Sequence, residues 1–276
     1  MAVKIALCNV KGGVGKTALT NALAASLTRR GYKVLLIDGD PQGNLTESCG
    51  LVACNRRDDP EGVNYELKDV LDGTVDIRTA AVPTEAGDLI PNTFNLFLAD
   101  RLYTDINANY RMKKAVAAVE ANYDFVIIDS PPNVGILLFM VLGTVQSVII
   151  PILQAKSSVR GISILKEQID SVRENPLNPD LKILGMVVNR WNRNTKFGAK
   201  ILAEIQEYVR PYVNAPVFET KIRQGVAIDE ASYYGKSIFS HKEGMSNVAR
   251  DLEMWTDEVL AAVIMPLQKQ KKGGKA

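Results

Sequence analysis

The chain has 276 residues, of which 46% are hydrophobic and 23% charged, and this composition is typical of a folded globular protein and excludes a disordered one. Its 33 basic and 31 acidic residues leave a net charge of +2, so overall charge indicates no polyanionic partner. Three cysteines, none after residue 54, are too few for a disulfide framework.

The first predicted elements are an apolar strand over Val3–Asn9 and a helix over Lys16–Arg30, joined by a glycine-rich loop. Glycines let the backbone curl so that its N–H groups point inward, and the helix N-terminus adds partial positive charge. This context predicts a nucleotide-phosphate loop, in which Lys16 reaches the β- and γ-phosphates and the Thr17 hydroxyl binds Mg²⁺. The predicted nucleotide-binding residues of the loop are Gly12, Gly13, Val14, Gly15, Lys16, Thr17 and Ala18.

Strands and helices are predicted to alternate along the rest of the chain. The further strands are Lys33–Asp38, Asn95–Ala99, Asp124–Asp129, Ser147–Ile152, Ile183–Asn189 and Pro216–Glu219, and the further helices are Tyr110–Glu120, Gly161–Arg173, Lys200–Val209 and Met245–Ile264. Near-continuous Val, Ile and Leu runs are typical of parallel strands that are buried on both faces. We therefore expect an α/β fold, a doubly wound and mostly parallel sheet flanked by helices, in one P-loop NTPase-like domain over residues 1–265. Residues 266–276, with four lysines and no acid, are expected to form a basic, disordered tail.

Residues 134–153 carry no charge over twenty positions, and by hydropathy alone this segment is a candidate membrane span. Gln146, Pro151 and Gly143 interrupt it. A buried helix followed by a fully buried strand explains the same pattern and is the interpretation we favour.

Three carboxylates lie at the carboxyl ends of predicted strands. Asp129 ends an apolar strand, where an unpaired buried carboxylate would be costly, and a Mg²⁺ ion held through water would offset that cost. Asp38 and Asp40 stand two residues apart at another strand end and therefore share one face. Their separate roles do not follow from the pattern alone.

The loop departs from the strict P-loop pattern, because Val10 occupies the position of its first glycine and a second lysine, Lys11, follows. This departure resembles the deviant Walker A motif of the ParA/MinD superfamily of P-loop ATPases. Residues 38–44 resemble the switch I segment of that family, and residues 127–132 its Walker B strand end and switch II. The chain is most similar to the small ParA/Soj type.

The resemblance implies roles for individual residues. Asp40 would orient the attacking water, Lys16 would bind the phosphates, and Lys11 would reach across a homodimer to the phosphates of the partner. The metal site would consist of Thr17, Asp38 and Asp129. Asn189 resembles the position that contacts the base, although an asparagine that begins a turn explains it too. The implied cofactors are ATP and Mg²⁺, and the implied catalytic residues are Lys11, Lys16 and Asp40.

A basic cluster follows Asn189, and its six members are Arg190, Arg193, Lys196, Lys200, Lys221 and Arg223. Such clusters suit sequence-independent contacts to the phosphate backbone of DNA, whereas a solvated helix face is the competing interpretation. ParA proteins place non-specific DNA contacts in this region. The resemblance thus implies a cytoplasmic, nucleoid-associated ATPase that works with a ParB-like centromere-binding protein to partition a plasmid, a chromosome or another large cargo.

Three other functions share this kind of ATPase core. An iron–sulfur reductase is excluded, because no cysteine follows Cys54 to hold a cluster. A MinD-like membrane-positioning ATPase is the alternative, and it needs a C-terminal amphipathic helix with a basic polar face. The last predicted helix has an acidic polar face, so we expect its apolar stripe to pack in the core and expect no stable membrane association. A nucleotide-binding module without turnover stays open.

Overall fold

The structure, a computed structural model, describes residues 1–51, 64–155, 157–192, 196–241 and 246–273. Its strands are β1 (Val3–Leu7), β2 (Val34–Asp38), β3 (Val82–Thr84), β4 (Gly87–Ile90), β5 (Phe125–Asp129), β6 (Ser147–Ile152) and β7 (Lys182–Val188). Its α-helices are α1 (Lys16–Arg29), α2 (Asn44–Ser48), α3 (Leu67–Asp72), α4 (Ile77–Ala80), α5 (Ala99–Leu102), α6 (Arg111–Ala117), α7 (Ile136–Thr144), α8 (Ser157–Glu174), α9 (Lys196–Glu204), α10 (Arg210–Val213), α11 (Ala227–Tyr233) and α12 (Asn247–Gly273). Two 3₁₀ turns (Phe94–Leu96 and Ala108–Tyr110) and a π-helical turn (Ile205–Val209) complete the described elements.

The seven described strands form one sheet in the order β3-β4-β2-β5-β1-β6-β7. All neighbouring pairs are parallel except β3 and β4, which form an antiparallel edge. The prediction of a mostly parallel sheet is confirmed. Because β1, β2 and β5 are central and parallel, their carboxyl ends meet at one edge of the sheet.

The central strands separate two apolar layers. In β1, Ile5 and Leu7 face one layer, with α1 and α12, while Ala6 faces the other layer, with α3, α6, α7 and α8. Side chains alternate between the faces of a strand, so both faces of β1 are buried. This arrangement explains why β1 is apolar at successive positions from Ile5 to Leu7.

Two predicted strands differ in the structure. Asn95–Ala99 is not a strand: Thr93 accepts a hydrogen bond from the backbone of Asn95, which starts the 3₁₀ turn over Phe94–Leu96. Pro216–Glu219 contributes only an isolated parallel bridge, from Val217 to Met186. The sequence analysis also missed β3 and β4, which are short and carry Pro83 at the sheet edge.

The uncharged segment over residues 134–153 is a buried helix and a buried strand, as favoured from its sequence. Seven of the nine residues of α7 are buried, and five of the six residues of β6 are buried. Over the described ranges, no helix has the length and apolar character needed to cross a membrane.

The apolar stripe of α12 packs in the core, as expected. Its members Val248, Leu252, Trp255, Val259 and Val263 are all buried. The acidic residues of this helix bind groups of the same chain. Glu253 pairs with Arg29 of α1 and with Arg30 just after it, and Asp257 pairs with Arg30. Asp251 pairs with Arg223, and Glu258 accepts the backbone N–H groups of Glu219 and Thr220. The described helix continues to Gly273, and the domain boundary at residue 265 stays a prediction.

Candidate active site at the carboxyl edge of the sheet

The glycine loop between β1 and α1 is open on its inner side. Gly13 and Gly15 have φ values of 74° and 90°, in the left-handed region that favours glycine. Gly12 and Gly13 are exposed, and no described atom lies within 4 Å of the position that a Cβ would take on either residue. Val14 is fully buried and anchors the loop. The loop thus presents backbone rather than side chains to the space in front of α1.

The strand register brings two carboxylates together. Asp38 of β2 pairs directly with Asp129 of β5, and both are fully buried. Burial raises the pKa of Asp38 to about 8, and the neighbouring Asp129 carboxylate contributes to the increase. Burial also raises the pKa of Asp129 to about 7, opposed by the Thr17 hydrogen bond and the Lys16 charge. Such a pair of desolvated carboxylates is a place where a cation is strongly favoured.

The first residues of α1 contact this pair of carboxylates through Asp129. The Thr17 hydroxyl donates to Asp129 Oδ2 at 2.6 Å. Thr20 donates to the Lys16 carbonyl at 2.9 Å and lies 3.4 Å from Asp129 Oδ1. Lys16 is itself 7% exposed. The predicted metal residues Thr17, Asp38 and Asp129 therefore lie together, with the predicted phosphate lysine beside them.

Asp40 lies beside this group, on the loop that follows β2. The backbone N–H of Asp40 donates to Asp38 Oδ1 at 3.2 Å, and Asp40 Oδ1 accepts the backbone N–H of Gln42 at 3.0 Å. Gly39 donates to the Asp129 carbonyl at 2.9 Å, which fixes this loop to β5. Burial raises the pKa of the Asp40 carboxyl. Asp40 therefore borders the space between the glycine loop and the end of β2, where a ligand can bind.

A cavity of about 720 Å³ lies in front of the loop, and its lining includes Gly12, Gly15, Lys16, Thr17 and Asp40. This volume is within the range of small-molecule sites. The opposite wall comes from α11 and the turn after it, through Asp229, Ser232, Tyr233 and Lys236. The sequence analysis did not assign these four residues to the site. Residues 230–238 resemble the ParA/MinD superfamily weakly, and this resemblance covers three of the four residues without assigning any of them to the site.

Lys11 begins the glycine loop, and Asn189 contacts this loop from the end of β7. The backbone N–H of Lys11 donates to Asn9 Oδ1 at 3.0 Å, and its side chain is half-buried. Asn189, at the end of β7, donates from Nδ2 to the Val14 carbonyl at 2.9 Å and accepts the Arg190 backbone N–H at 2.9 Å. In this structure Asn189 therefore supports the glycine loop, and its predicted contact with a base is untested.

The predicted DNA-binding residues occupy different surroundings. Arg190 lines the cavity in front of the glycine loop, and Lys200 is exposed on α9. The Lys221 ammonium lies 5.7 Å from the centre of the Trp191 ring. The Arg223 guanidinium donates two hydrogen bonds to Asp251, of 2.6 and 2.8 Å, and the Arg223 backbone N–H donates a third at 3.1 Å. Arg193 lies outside the described residues, as does the side chain of Lys196.

Comparisons with known proteins agree with this geometry. A family model described as an AAA domain matches residues 2–183. The sporulation initiation inhibitor protein Soj of Bacillus subtilis (strain 168) is 36% identical over 235 residues, which cover 85% of this chain and 89% of Soj. The chromosome partitioning protein ParA of Myxococcus xanthus (strain DK1622) is 35% identical over 237 residues, covering 85% of this chain and 80% of that protein.

Among solved structures, the cobyrinic acid a,c-diamide synthase from Mycobacterium smegmatis with bound ATP analog and magnesium superposes with a TM-score of 0.79. It is 29% identical, and the match covers 94% of this chain and 95% of that one. The motif at the glycine loop, the carboxylates paired across β2 and β5, and the identity to Soj and ParA along most of the chain all lead to one assignment. The chain belongs to the ParA/Soj family of P-loop ATPases.

Proposed function

We propose that this ATPase partitions DNA cargo: its ATP-bound homodimer binds DNA without sequence preference, and hydrolysis, stimulated by a ParB-like partner, releases it. The observation that carries the proposal is the loop of Lys11–Thr17, which adds a second lysine to a glycine-rich phosphate loop whose Thr17 donates to the buried Asp129. The name of one relative, the chromosome partitioning protein ParA of Myxococcus xanthus, supports partitioning as the purpose of this ATPase.

ATP is the substrate that fits the cavity. The inward-facing backbone of Gly12, Gly13 and Gly15 suits the β-phosphate, because N–H groups and a helix N-terminus favour an anion. Lys16 is held close to this space and supplies a fixed positive charge for the β- and γ-phosphates. Tyr233 of α11 and Lys236 after it also line the cavity, and we assign this part of the lining to the base and the ribose.

The residues present fit Mg²⁺. Asp38 and Asp129 are fully buried, the Thr17 hydroxyl adjoins them, and within the described part of the chain no group of three or more His, Cys, Asp or Glu residues forms a closed metal cage. Mg²⁺ binds through one or two carboxylates and keeps waters and phosphate oxygens as its other ligands. When bound, the ion neutralises negative charge that develops on the phosphate oxygens.

Asp40 is the residue that we assign to orienting the attacking water. Its carboxylate is fixed by the Gln42 N–H and lies at the border of the cavity, so its second oxygen can accept a hydrogen bond from water. Attack of this water on the γ-phosphorus breaks the bond to the β,γ-bridging oxygen and yields ADP and phosphate. Holding the water in line is the main catalytic task of the protein in phosphoryl transfer.

Lys11 is the residue that we assign to dimer formation. Lys11 is half-buried at the start of the loop, and the resemblance implies that this lysine contacts the phosphates of the partner subunit. A dimer that depends on this contact forms only with ATP in both sites, and loss of the γ-phosphate weakens it. Switch loops that are ordered by a γ-phosphate and released on hydrolysis act by the same principle.

The DNA surface is assigned to the basic cluster that follows β7. Lys200 is exposed on α9, and Lys221, which is half-buried, lines a groove together with Trp191. Exposed lysines bind phosphates by releasing counterions, so such binding falls steeply with salt. Substituting both Arg193 and Lys196 by alanine is expected to lower DNA affinity and flatten its salt dependence, while ATP hydrolysis persists.

The decisive experiment is binding to random-sequence DNA across a salt titration, with ATP, with ADP and without nucleotide. Binding that requires ATP and weakens with salt supports the proposal, and equal binding under all three conditions refutes it. Phosphate release is measured in parallel, because a binding module without turnover would release none. Co-sedimentation with anionic liposomes tests the MinD-like alternative, and association with liposomes in place of DNA would overturn the partition assignment.

A further inference from the structure

A buried threonine on α2 contacts the metal site. Thr46 is fully buried, and it donates twice to Asp38 Oδ2, from its backbone N–H at 2.8 Å and from its hydroxyl at 2.7 Å. The hydroxyl oxygen also accepts the backbone N–H of Asn92 at 3.0 Å. A hydroxyl has a single hydrogen. Because Asn92 occupies the acceptor side, that hydrogen is directed at Asp38.

The three hydrogen bonds to Asp38 fix both oxygens of its carboxylate. Oδ1 accepts the backbone N–H of Asp40, and Oδ2 accepts the two donors of Thr46. This restraint is important because Asp129 lies directly across the strand pair and repels a second charged carboxylate. Two of the three donors are backbone groups, so the Thr46 hydroxyl is the only side chain among them.

The residue that orients the Thr46 hydroxyl lies in the core of the protein. Asn92 is fully buried and follows β4, which pairs with β2. The side chain of Asn92 accepts the Thr93 backbone N–H at 2.9 Å, and the Thr93 hydroxyl donates to the buried Glu66. The Asn92 N–H that orients the Thr46 hydroxyl is therefore held in a connected network.

We propose that Thr46 is a positioning residue for the Mg²⁺ site: its hydroxyl, oriented by the Asn92 backbone, holds the Asp38 carboxylate beside Asp129 so that both face one ion. The proposal rests on the proposed function, in that it takes Asp38 as part of the metal site. Groups that hold a metal ligand in place typically change metal affinity by about 10- to 100-fold when they are removed.

The test compares three single variants. Thr46→Val removes the hydroxyl and nearly preserves the shape, and Thr46→Ser retains the hydroxyl. Thr256→Val is the matched control, because Thr256 is also fully buried and donates its hydroxyl to the Leu252 carbonyl at 2.8 Å within α12. The measurements are the affinity for a fluorescent ATP analogue at increasing Mg²⁺, the same affinity in EDTA, and the melting temperature.

The positioning role predicts a specific pattern. Thr46→Val needs an about tenfold higher Mg²⁺ concentration for half-maximal nucleotide binding, while its affinity in EDTA stays that of the unmodified protein. Thr46→Ser and Thr256→Val retain the original Mg²⁺ dependence. A merely structural role would lower the melting temperature and weaken binding in EDTA as much as in Mg²⁺, and it would leave the Mg²⁺ midpoint in place.

Clear outcomes overturn the proposal. A Mg²⁺ midpoint of Thr46→Val equal to that of Thr256→Val refutes it, and so does a midpoint of Thr46→Ser shifted as far as that of Thr46→Val. If Thr46→Val does not fold, Thr46→Ala against Thr46→Ser makes the same comparison with and without the hydroxyl. If the unmodified protein shows no Mg²⁺-dependent nucleotide binding, the proposed function fails as well, which separates the two failures.

Discussion

The substitution Asp129→Asn is expected to stabilise the protein while it removes the function of the site. Asp129 is fully buried, and folding raises its pKa from 3.8 to about 7. Each pKa unit is worth about 1.4 kcal/mol, so above pH 7 the charged form costs the folded state up to about 4 kcal/mol in the absence of metal. Asparagine has the same shape and no charge. Its oxygen can accept the Thr17 hydroxyl, and its amide can donate to Thr20.

The sign follows from the direction of the shift. Below about pH 4 the carboxyl is neutral in both the folded and the unfolded chain, so the substitution changes little. As the pH rises towards 7, the unfolded chain gains a favourable ionisation that the folded chain lacks, and the cost grows. The advantage of Asp129→Asn is therefore absent near pH 4, increases up to about pH 7, and is constant above it.

The assay is thermal unfolding in EDTA without nucleotide, at pH 5, 6, 7 and 8. For a chain of this size, about 1 kcal/mol corresponds to 2–4 °C, so at pH 8 we expect the melting temperature of Asp129→Asn to exceed that of the unmodified protein by several degrees. Asp180→Asn, at an exposed position, is the control and should leave the melting temperature unchanged. A lower melting temperature for Asp129→Asn at pH 8, or a gain that does not depend on pH, would refute the electrostatic reasoning.

Three further substitutions test other parts of the molecule. Lys11→Ala should leave nucleotide binding by the monomer largely intact and abolish ATP-dependent dimerisation, and an unchanged dimer fraction in sedimentation would contradict this. Arg223→Ala removes the guanidinium that binds Asp251, whose side chain is 9% exposed, so the melting temperature should fall; an unchanged melting temperature would contradict a structural role for Arg223. Gly15→Ala should abolish nucleotide binding, measured by calorimetry, because its Cβ would lie 2.1 Å from Asn189 Nδ2 at a φ of 90°; retained affinity would show that the loop can rearrange.

The sequence analysis predicted the central elements more accurately than the peripheral ones. The strands β1, β2, β5, β6 and β7 were all predicted within two residues of their observed ends, because long runs of Val, Ile and Leu leave few alternatives for a strand buried on both faces. The edge strands β3 and β4 were missed, and Asn95–Ala99 was wrongly predicted as a strand. Over Asn95–Ala99 a local contact decides the structure, because the Thr93 side chain caps the 3₁₀ turn and this turn competes with an extended strand.

The phosphate loop and the three carboxylates at the strand ends were predictable from the local pattern, because a glycine-rich loop between a strand and a helix is a strong signal for phosphate binding. The groups that surround these residues were not predictable, because they come from distant parts of the chain. The pairing of Asp38 with Asp129 depends on the register between β2 and β5, and Thr46 reaches Asp38 through a fold of the chain that also brings in Asn92. Likewise Arg223 faces Asp251, although both are ordinary surface charges in the sequence. Contacts between residues distant along the chain come from packing, which local patterns of polarity and glycine do not encode.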